Sequence, residues 1–453
     1  MARVLVVSAE PIGPQVAGPA IRALELARVL ADSHEVTIAA PAPSQTDDSR
    51  IALVPAGFAD YEALAAAVQA ADVVVAQSLP PRLLSKLPAL GTTLIADLYN
   101  PTVFEVLEAS RDKATTARRR QQRTVTLASI ANLAAASHVI CASEQQRDLW
   151  LGMMAAEGLI SIEDYARDPT LRSVIDTVPF GLPSEPPVAA QTPPIRSMFP
   201  AIAPEDRIVL WGGGVWNWLD PETAIDAIGV IDAQRGDQAR THLVMMGLGR
   251  PASEELDAMR AGQRMLGHLT RSGLEGKVVH VNRGWVDYAE RGSWLLEADL
   301  GISTHHDHLE SRLAFRTRML DYIWAGLPIV ATTGDTLAAL IEREGLGLTV
   351  PPGNPLVLAN AISALLDDPS RLAAAEFALT QLAPRMTWQH AAASLSEICG
   401  GESPTGSPDR GVLRRATLAQ YPPLLVETHS TDGLRGASSR AWRNLLRTLT
   451  PGS

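Results

Sequence analysis

Cysteine is almost absent from these 453 residues: Cys141 and Cys399 are the only two. Two are too few for a disulfide framework or a zinc module, and both stand among apolar neighbours where an inert buried thiol is expected. Long apolar runs are missing as well. Nothing approaches the roughly 18 residues a membrane span needs, and the N-terminus reads as a strand rather than a cleavable leader, so a cytoplasmic protein is expected. Net positive charge is also lacking. A balance of -11 and a pI near 5.4 leave no general surface for polyanions, and nucleic acid is not an expected partner. What the chain has is core material: 46% hydrophobic residues against 20% charged, which excludes global disorder. Its length implies about two or three domains.

Short β-branched runs alternate with stretches of helical period. Candidate strands are Arg3–Val7, Glu35–Ala39, Ile51–Val54, Val73–Ala76, Thr93–Ala96 and His138–Cys141. A Pro-rich segment follows, in which neither helix nor central strand is expected to persist. The alternation then restarts with Arg207–Trp211, Thr241–Met246, Lys277–Val281, Asp299–Ser303, Pro328–Ala331 and Leu346–Val350. This pattern predicts an α/β protein of two tandem, doubly wound Rossmann-like domains. The boundaries expected are 1–183 for the first domain, 184–206 for the linker, 207–385 for the second domain, 386–399 for a terminal helix and 400–453 for a largely disordered tail. Within the tail, Trp442, Leu445, Leu446 and Leu449 share a helical face edged by Arg440, Arg443 and Arg447. That helix, 438–449, either rests on a membrane surface or docks on its own protein. The run Arg118, Arg119, Arg120 and Arg123 is either a patch for anionic lipid or a charged acceptor, or a solvated helix face.

Parallel α/β domains bind ligands at the carboxyl ends of their strands, which singles out four loops. Ser8 to Pro19, with Gly18 at its end, is a long Gly/Pro connection into a helix N-terminus. Trp211 to Pro221 carries Gly212, Gly213 and Gly214, which permit close backbone approach, with Trp216, Asn217 and Trp218 beside them. Gly247 to Ala252 resembles a dinucleotide fingerprint but lacks the acid that should follow, which argues against nicotinamide or flavin. Ser303 to Pro328 is the richest. A helix is expected from Phe315 to a Gly326 cap, and Arg316, Arg318 and the helix N-terminus form a site suited to phosphate. The competing role for these arginines is pairing with surface acids. His305, His306, Asp307, His308 and Glu310 have the composition of metal ligands, but adjacent residues diverge, and no metal is expected.

The residues Leu320-Asp-Tyr-Ile-Trp-Ala-Gly-Leu-Pro-Ile-Val-Ala331, continuing to Gly345–Gly353, resemble the C-terminal signature of family 4 (group 1) retaining glycosyltransferases. The likeness extends to the opening strand and glycine loop, to Val178–Leu182 and to Thr387-Trp388. The resemblance implies the GT-B architecture, in which two Rossmann-like domains face each other, the second holding a nucleoside diphosphate sugar and the first a hydroxyl acceptor. It also implies a terminal helix returning to the first domain and a role in glycoconjugate or polysaccharide synthesis. The donor is a substrate, so no cofactor is expected. Asp321 stands where the family's second glutamate binds ribose, while the first falls on Leu313, for which Glu310 is the nearest substitute. The usual basic pair after the second domain's first strand is missing, leaving Arg316, Arg318 and the amides around Gly213 and Phe315 to stabilise the diphosphate. Asp97 is placed to orient the acceptor hydroxyl, its competing role being a helix cap. Trp285, with the loop 303–313, is expected to select sugar and base. Two other functions share this scaffold: a nucleotide-sugar epimerase, and a non-catalytic partner protein.

Overall fold

The apolar runs form two parallel sheets in the computed structural model, which describes residues 1–236, 240–248, 256–401 and 408–420. The first sheet contains β1 (Arg3–Val7), β2 (Glu35–Ala40), β3 (Ile51–Pro55), β4 (Val73–Ala76), β5 (Thr93–Asp97), β6 (His138–Cys141) and β7 (Ile175–Thr177), in the order β3-β2-β1-β4-β5-β6-β7. The second contains β8 (Arg207–Trp211), β9 (Thr241–Met245), β10 (Val279–Val281), β11 (Leu300–Ser303), β12 (Ile329–Thr332) and β13 (Gly347–Val350), in the order β10-β9-β8-β11-β12-β13. Strands such as Val4–Val7 and Ile208–Trp211 are buried along their length, because helices cover both faces of each sheet and leave no solvent side to alternate toward. The sequence missed β7. Its three residues border one neighbour only, β6, and so short a run carries no period.

Of the described residues, the first unit comprises 1–13 and 19–179 with those from Ala392 onward, and the second comprises those within 14–18 and 180–391. The division thus falls at Pro179, and the segment 184–206 belongs to the second unit. That segment is not without structure: Pro194–Met198 is helical. Pro194 sits at the first helical position, where a missing N–H costs nothing. The Glu297 carboxylate accepts the Ile195 and Arg196 amides at 2.6 and 2.9 Å. Leu182 also pairs with Thr387, so two segments far apart in sequence meet beside Gly181, where a Cβ would lie 2.4 Å from the Trp388 backbone.

The tail expectation needs correcting. Residues 410–420 form a helix whose Val412, Leu413 and Ala416 join the first unit's core with Ile130 and Ala134, and the Asp409 amide is accepted by the Ala134 carbonyl at 2.9 Å. The amphipathic pattern at 438–449 lies outside the described residues. Among the described residues no helix is long and apolar enough to cross a membrane.

Candidate active site

In the second sheet the strand order reverses between β8 and β11, so the loops leaving these two strands flank a crevice at their carboxyl ends. Tyr322 closes its floor. The tyrosine is fully buried, and its ring occupies the space a side chain at Gly301 would take, 2.5 Å from an added Cβ. Its hydroxyl accepts the Gly212 amide at 2.7 Å and lies 3.0 and 2.9 Å from the Leu210 and Ile302 carbonyls, its two acceptors. Burial pushes the phenol up to about 12, so it remains a donor. The three glycines therefore differ in role. Gly212 has spent its amide on Tyr322, and Gly214 is covered by Trp285, whose ring lies 3.2 Å from where a Cβ would be. Gly213, at φ +77°, has open space on its Cβ side, a left-handed conformation that favours glycine.

The helix expected from Phe315 begins at Arg318 and ends at the Gly326 cap. A short helix, Leu309–Leu313, precedes it and ends in extended backbone at Ala314. Phe315 lies between the two and stacks on Phe180 at 5.9 Å, so its amide belongs to no helical first turn. The two arginines also part company. Arg316 and Glu310 are both buried and form a two-point ion pair at 3.1 and 2.7 Å. Glu310 therefore offers no idle carboxylate in place of the missing first glutamate, and Arg316 brings no uncompensated charge. Arg318 does. Its guanidinium lies over the Trp211 ring at 4.6 Å, donates to the Gly214 carbonyl at 2.9 Å, and has an Nη1 shut off from solvent with no partner. Among the described residues it forms no ion pair, and burial pulls it down to about 10. A cation enclosed without a counter-charge is costly.

Asp321 projects from the same helix, is 39% exposed and pairs through Oδ1 with Arg291 at 3.0 Å. Asn217 lies on the glycine loop with a buried, unpartnered Oδ1, and Trp216 and Trp218 stack on each other at 6.0 Å. Trp285 also contacts the backbone side of Gly247; the rest of that loop, from 249, lies outside the described residues. The histidine run diverges. His305 faces Asp335 at 3.4 Å, His306 faces Asp220 at 3.8 Å, and His308 caps the Leu309–Leu313 helix. Among the described residues no group of three His, Cys, Asp or Glu is arranged to hold a metal ion.

In the first sheet the order reverses between β1 and β4. There a small pocket is lined by Ser8, Gln77, Asp97 and Tyr99 among apolar residues. Asp97 is not poised as a free base, nor is it a helix cap. Both of its oxygens accept from Arg22, each at 2.7 Å, while Arg22 also reaches the Val178 carbonyl and lies over the Tyr99 ring at 4.9 Å. Gly18 opens the Gly18–Leu30 helix. Arg118, Arg119, Arg120 and Arg123 lie on the Thr115–Ala135 helix, of which Arg119 and Arg123 are exposed.

Sequence reasoning overlooked Tyr322, Arg291 and Arg22. Tyr322 had a legible signal, since a glycine inside a strand, Gly301, marks a close approach by another group. Arg22 and Arg291 had none: each looks like an ordinary helix residue until its distant carboxylate is brought to it.

Residues 206–368 match the family described as Glycosyl transferases group 1. A D-inositol 3-phosphate glycosyltransferase from Thermobispora bispora is 25% identical over 192 residues, 42% of each chain, so the match spans less than half of that relative. Among solved structures, Anabaena HepE in complex with UDP-glucose superposes with a TM-score of 0.62 at 15% identity, covering 88% of this chain and 100% of that one. A sucrose-phosphate synthase from Thermosynechococcus elongatus does so at 0.58 and 16%, covering 89% and 99%. The second unit thus contains a segment similar to group 1 glycosyltransferases, and the fold is the two-domain GT-B fold.

Proposed function

We propose that this protein is a retaining glycosyltransferase, moving a sugar from a nucleoside diphosphate to a hydroxyl on a glycan, small molecule or lipid-linked acceptor. The observation that carries the proposal is Arg318: a half-buried guanidinium with an unpartnered nitrogen and, among the described residues, no counter-ion, beside the Gly213–Gly214 backbone at the switch point. Such a site is complete only when an anion arrives. The group 1 match over this unit and a neighbour crystallised with UDP-glucose support a nucleotide-sugar donor, and relatives named as glycosyltransferases support transfer.

In this reading the accessible part of the half-buried Arg318 guanidinium binds the diphosphate, the open side of Gly213 lets backbone approach it, and the exposed oxygen of Asp321 accepts from ribose. Negative charge on the diphosphate grows as the glycosidic bond breaks, so a guanidinium already fixed by Trp211 and the Gly214 carbonyl stabilises the transition state without reorganising. The acceptor hydroxyl attacks from the face the diphosphate leaves and passes its proton to the departing diphosphate oxygen, which retains the anomeric configuration without a protein nucleophile. Arg316 and Glu310 shape the crevice wall as a neutral pair rather than touching the donor. The Arg22–Asp97 pair holds the carboxyl ends of the first sheet's strands and positions the acceptor pocket instead of abstracting a proton.

Thermal melts with UDP, GDP, ADP and their sugars test the proposal, since a ligand that binds the folded state raises the melting temperature. One of these families should stabilise the protein, and free nucleoside diphosphate should appear only when acceptor is added. Isomerised nucleotide sugar without acceptor would establish the epimerase instead. No stabilisation by any of them would overturn the proposal.

A further inference from the structure

Arg291 is buried more deeply than a surface ion pair requires, and its surroundings fix it on every side. Its guanidinium lies 3.6 Å from the centre of the Tyr288 ring and 4.5 Å from that of Trp324. Nη1 donates to the Tyr288 carbonyl at 2.6 Å, and Nε donates to Asp321 Oδ1 at 3.0 Å. Trp324 is fixed in turn. Its indole N–H donates to the Glu185 carbonyl at 2.8 Å, and its ring edge packs closely on Gly292, 3.1 Å from where a Cβ would be. Asp321, by contrast, is 39% exposed against 9% for Arg291, with one oxygen engaged and Oδ2 uncommitted.

We infer that Arg291 is a positioning residue for donor binding: clamped between Tyr288 and Trp324, it fixes the Asp321 carboxylate so that Oδ2 meets the ribose hydroxyls. The inference rests on the donor reading above. A lone aspartate on an exposed helix face samples several rotamers, and ordering it on binding costs affinity. A guanidinium packed against two rings presents its N–H groups in a fixed fork, so the carboxylate it holds is ordered before the nucleotide arrives. Lysine keeps the charge but cannot lie flat between the rings while reaching both Tyr288 and Asp321.

The test uses UDP, GDP and ADP, and the dideoxy form of each that lacks both ribose hydroxyls, titrated calorimetrically into the full-length wild type, Arg291→Lys, Asp321→Asn and the double variant. Wild type should bind one parent nucleotide more tightly than its dideoxy form. Arg291→Lys should weaken the parent about tenfold, the scale of one impaired charge-assisted hydrogen bond, and leave dideoxy binding unchanged. The double variant should be no weaker than Asp321→Asn alone, because the two residues act as one element. Equal weakening of both nucleotides by Arg291→Lys would mean that the pair merely holds two helices together, and would overturn the inference while leaving the donor reading intact. A wild type that binds nucleotide but ignores the ribose hydroxyls overturns the role of Asp321, and one that binds none overturns the donor reading; either removes this inference with it. Arg291→Met, which preserves the packing between the rings, provides the same comparison if Arg291→Lys fails to fold.

Discussion

Replacing Tyr322 with phenylalanine removes one oxygen and leaves the ring in the space that Gly301 reserves for it. The Gly212 amide, 2.7 Å from that oxygen, then faces a C–H in a buried setting. An unsatisfied buried amide costs about 1–3 kcal/mol, and the lost hydroxyl donation to Leu210 or Ile302 adds about 1 kcal/mol. Together these amount to about 2–4 kcal/mol. For a unit of this size each kcal/mol lowers the melting temperature by about 2–4 °C, so a fall of about 5–15 °C is expected in the second unit's transition. Most of the nine tryptophans lie in that unit, and Trp211, beside the mutated site, is fully buried, so tryptophan fluorescence follows this transition selectively. Donor affinity should fall too, because the glycine loop loses the bond that pins it between β8 and the crevice. A variant that melts with wild type would refute the reasoning, since it would mean that the Gly212 amide never depended on the tyrosine.

Arg318→Ala should reduce kcat with donor saturating by at least about a hundredfold, the scale of one lost oxyanion donor, whereas a purely structural arginine would lower the melting temperature and leave turnover per folded molecule unchanged. Turnover should persist in EDTA, because the charge on the departing diphosphate is met by Arg318; loss of activity restored by a divalent cation would refute this. The chain Asp206–His242–His280, joined by contacts of 3.0 Å each at the amino ends of the second sheet's strands, predicts acid instability. Burial lowers both histidines, His280 to about 4, so their stabilisation is complete above their unfolded value near 6.5 and is lost as pH falls toward about 4; denaturant titrations across that window should show the loss, and His280→Leu should flatten it. Ending the chain before residue 408 should destabilise the first unit by about 3–5 kcal/mol, from the burial of Val412, Leu413 and Ala416, so unchanged denaturation would show that this helix is dispensable.

The amino-acid sequence by itself determined the class of fold and the loops that leave the carboxyl ends of its strands. Runs such as Val4–Val7 and Ile208–Trp211 are apolar without alternation, and that property alone specifies strands covered on both faces. The glycine cap at Gly326 and the loops after β8 and β11 were equally legible, because turn chemistry is local. Tertiary structure decided which of the charged residues in those loops remain unpaired. Arg316 and Arg318 are two residues apart and chemically identical, yet Glu310 neutralises one, while the other meets, among the described residues, Trp211 and a carbonyl rather than a carboxylate. Asp97 and Asp321 both stand at places suited to hydroxyl recognition, yet Arg22 takes both oxygens of the first, and Arg291 takes one oxygen of the second and leaves the other exposed. The partners lie 75 residues away for Asp97 and 30 for Asp321, a separation no local pattern encodes. Net charge at a site is a sum over neighbours in space, and only the folded chain supplies those neighbours.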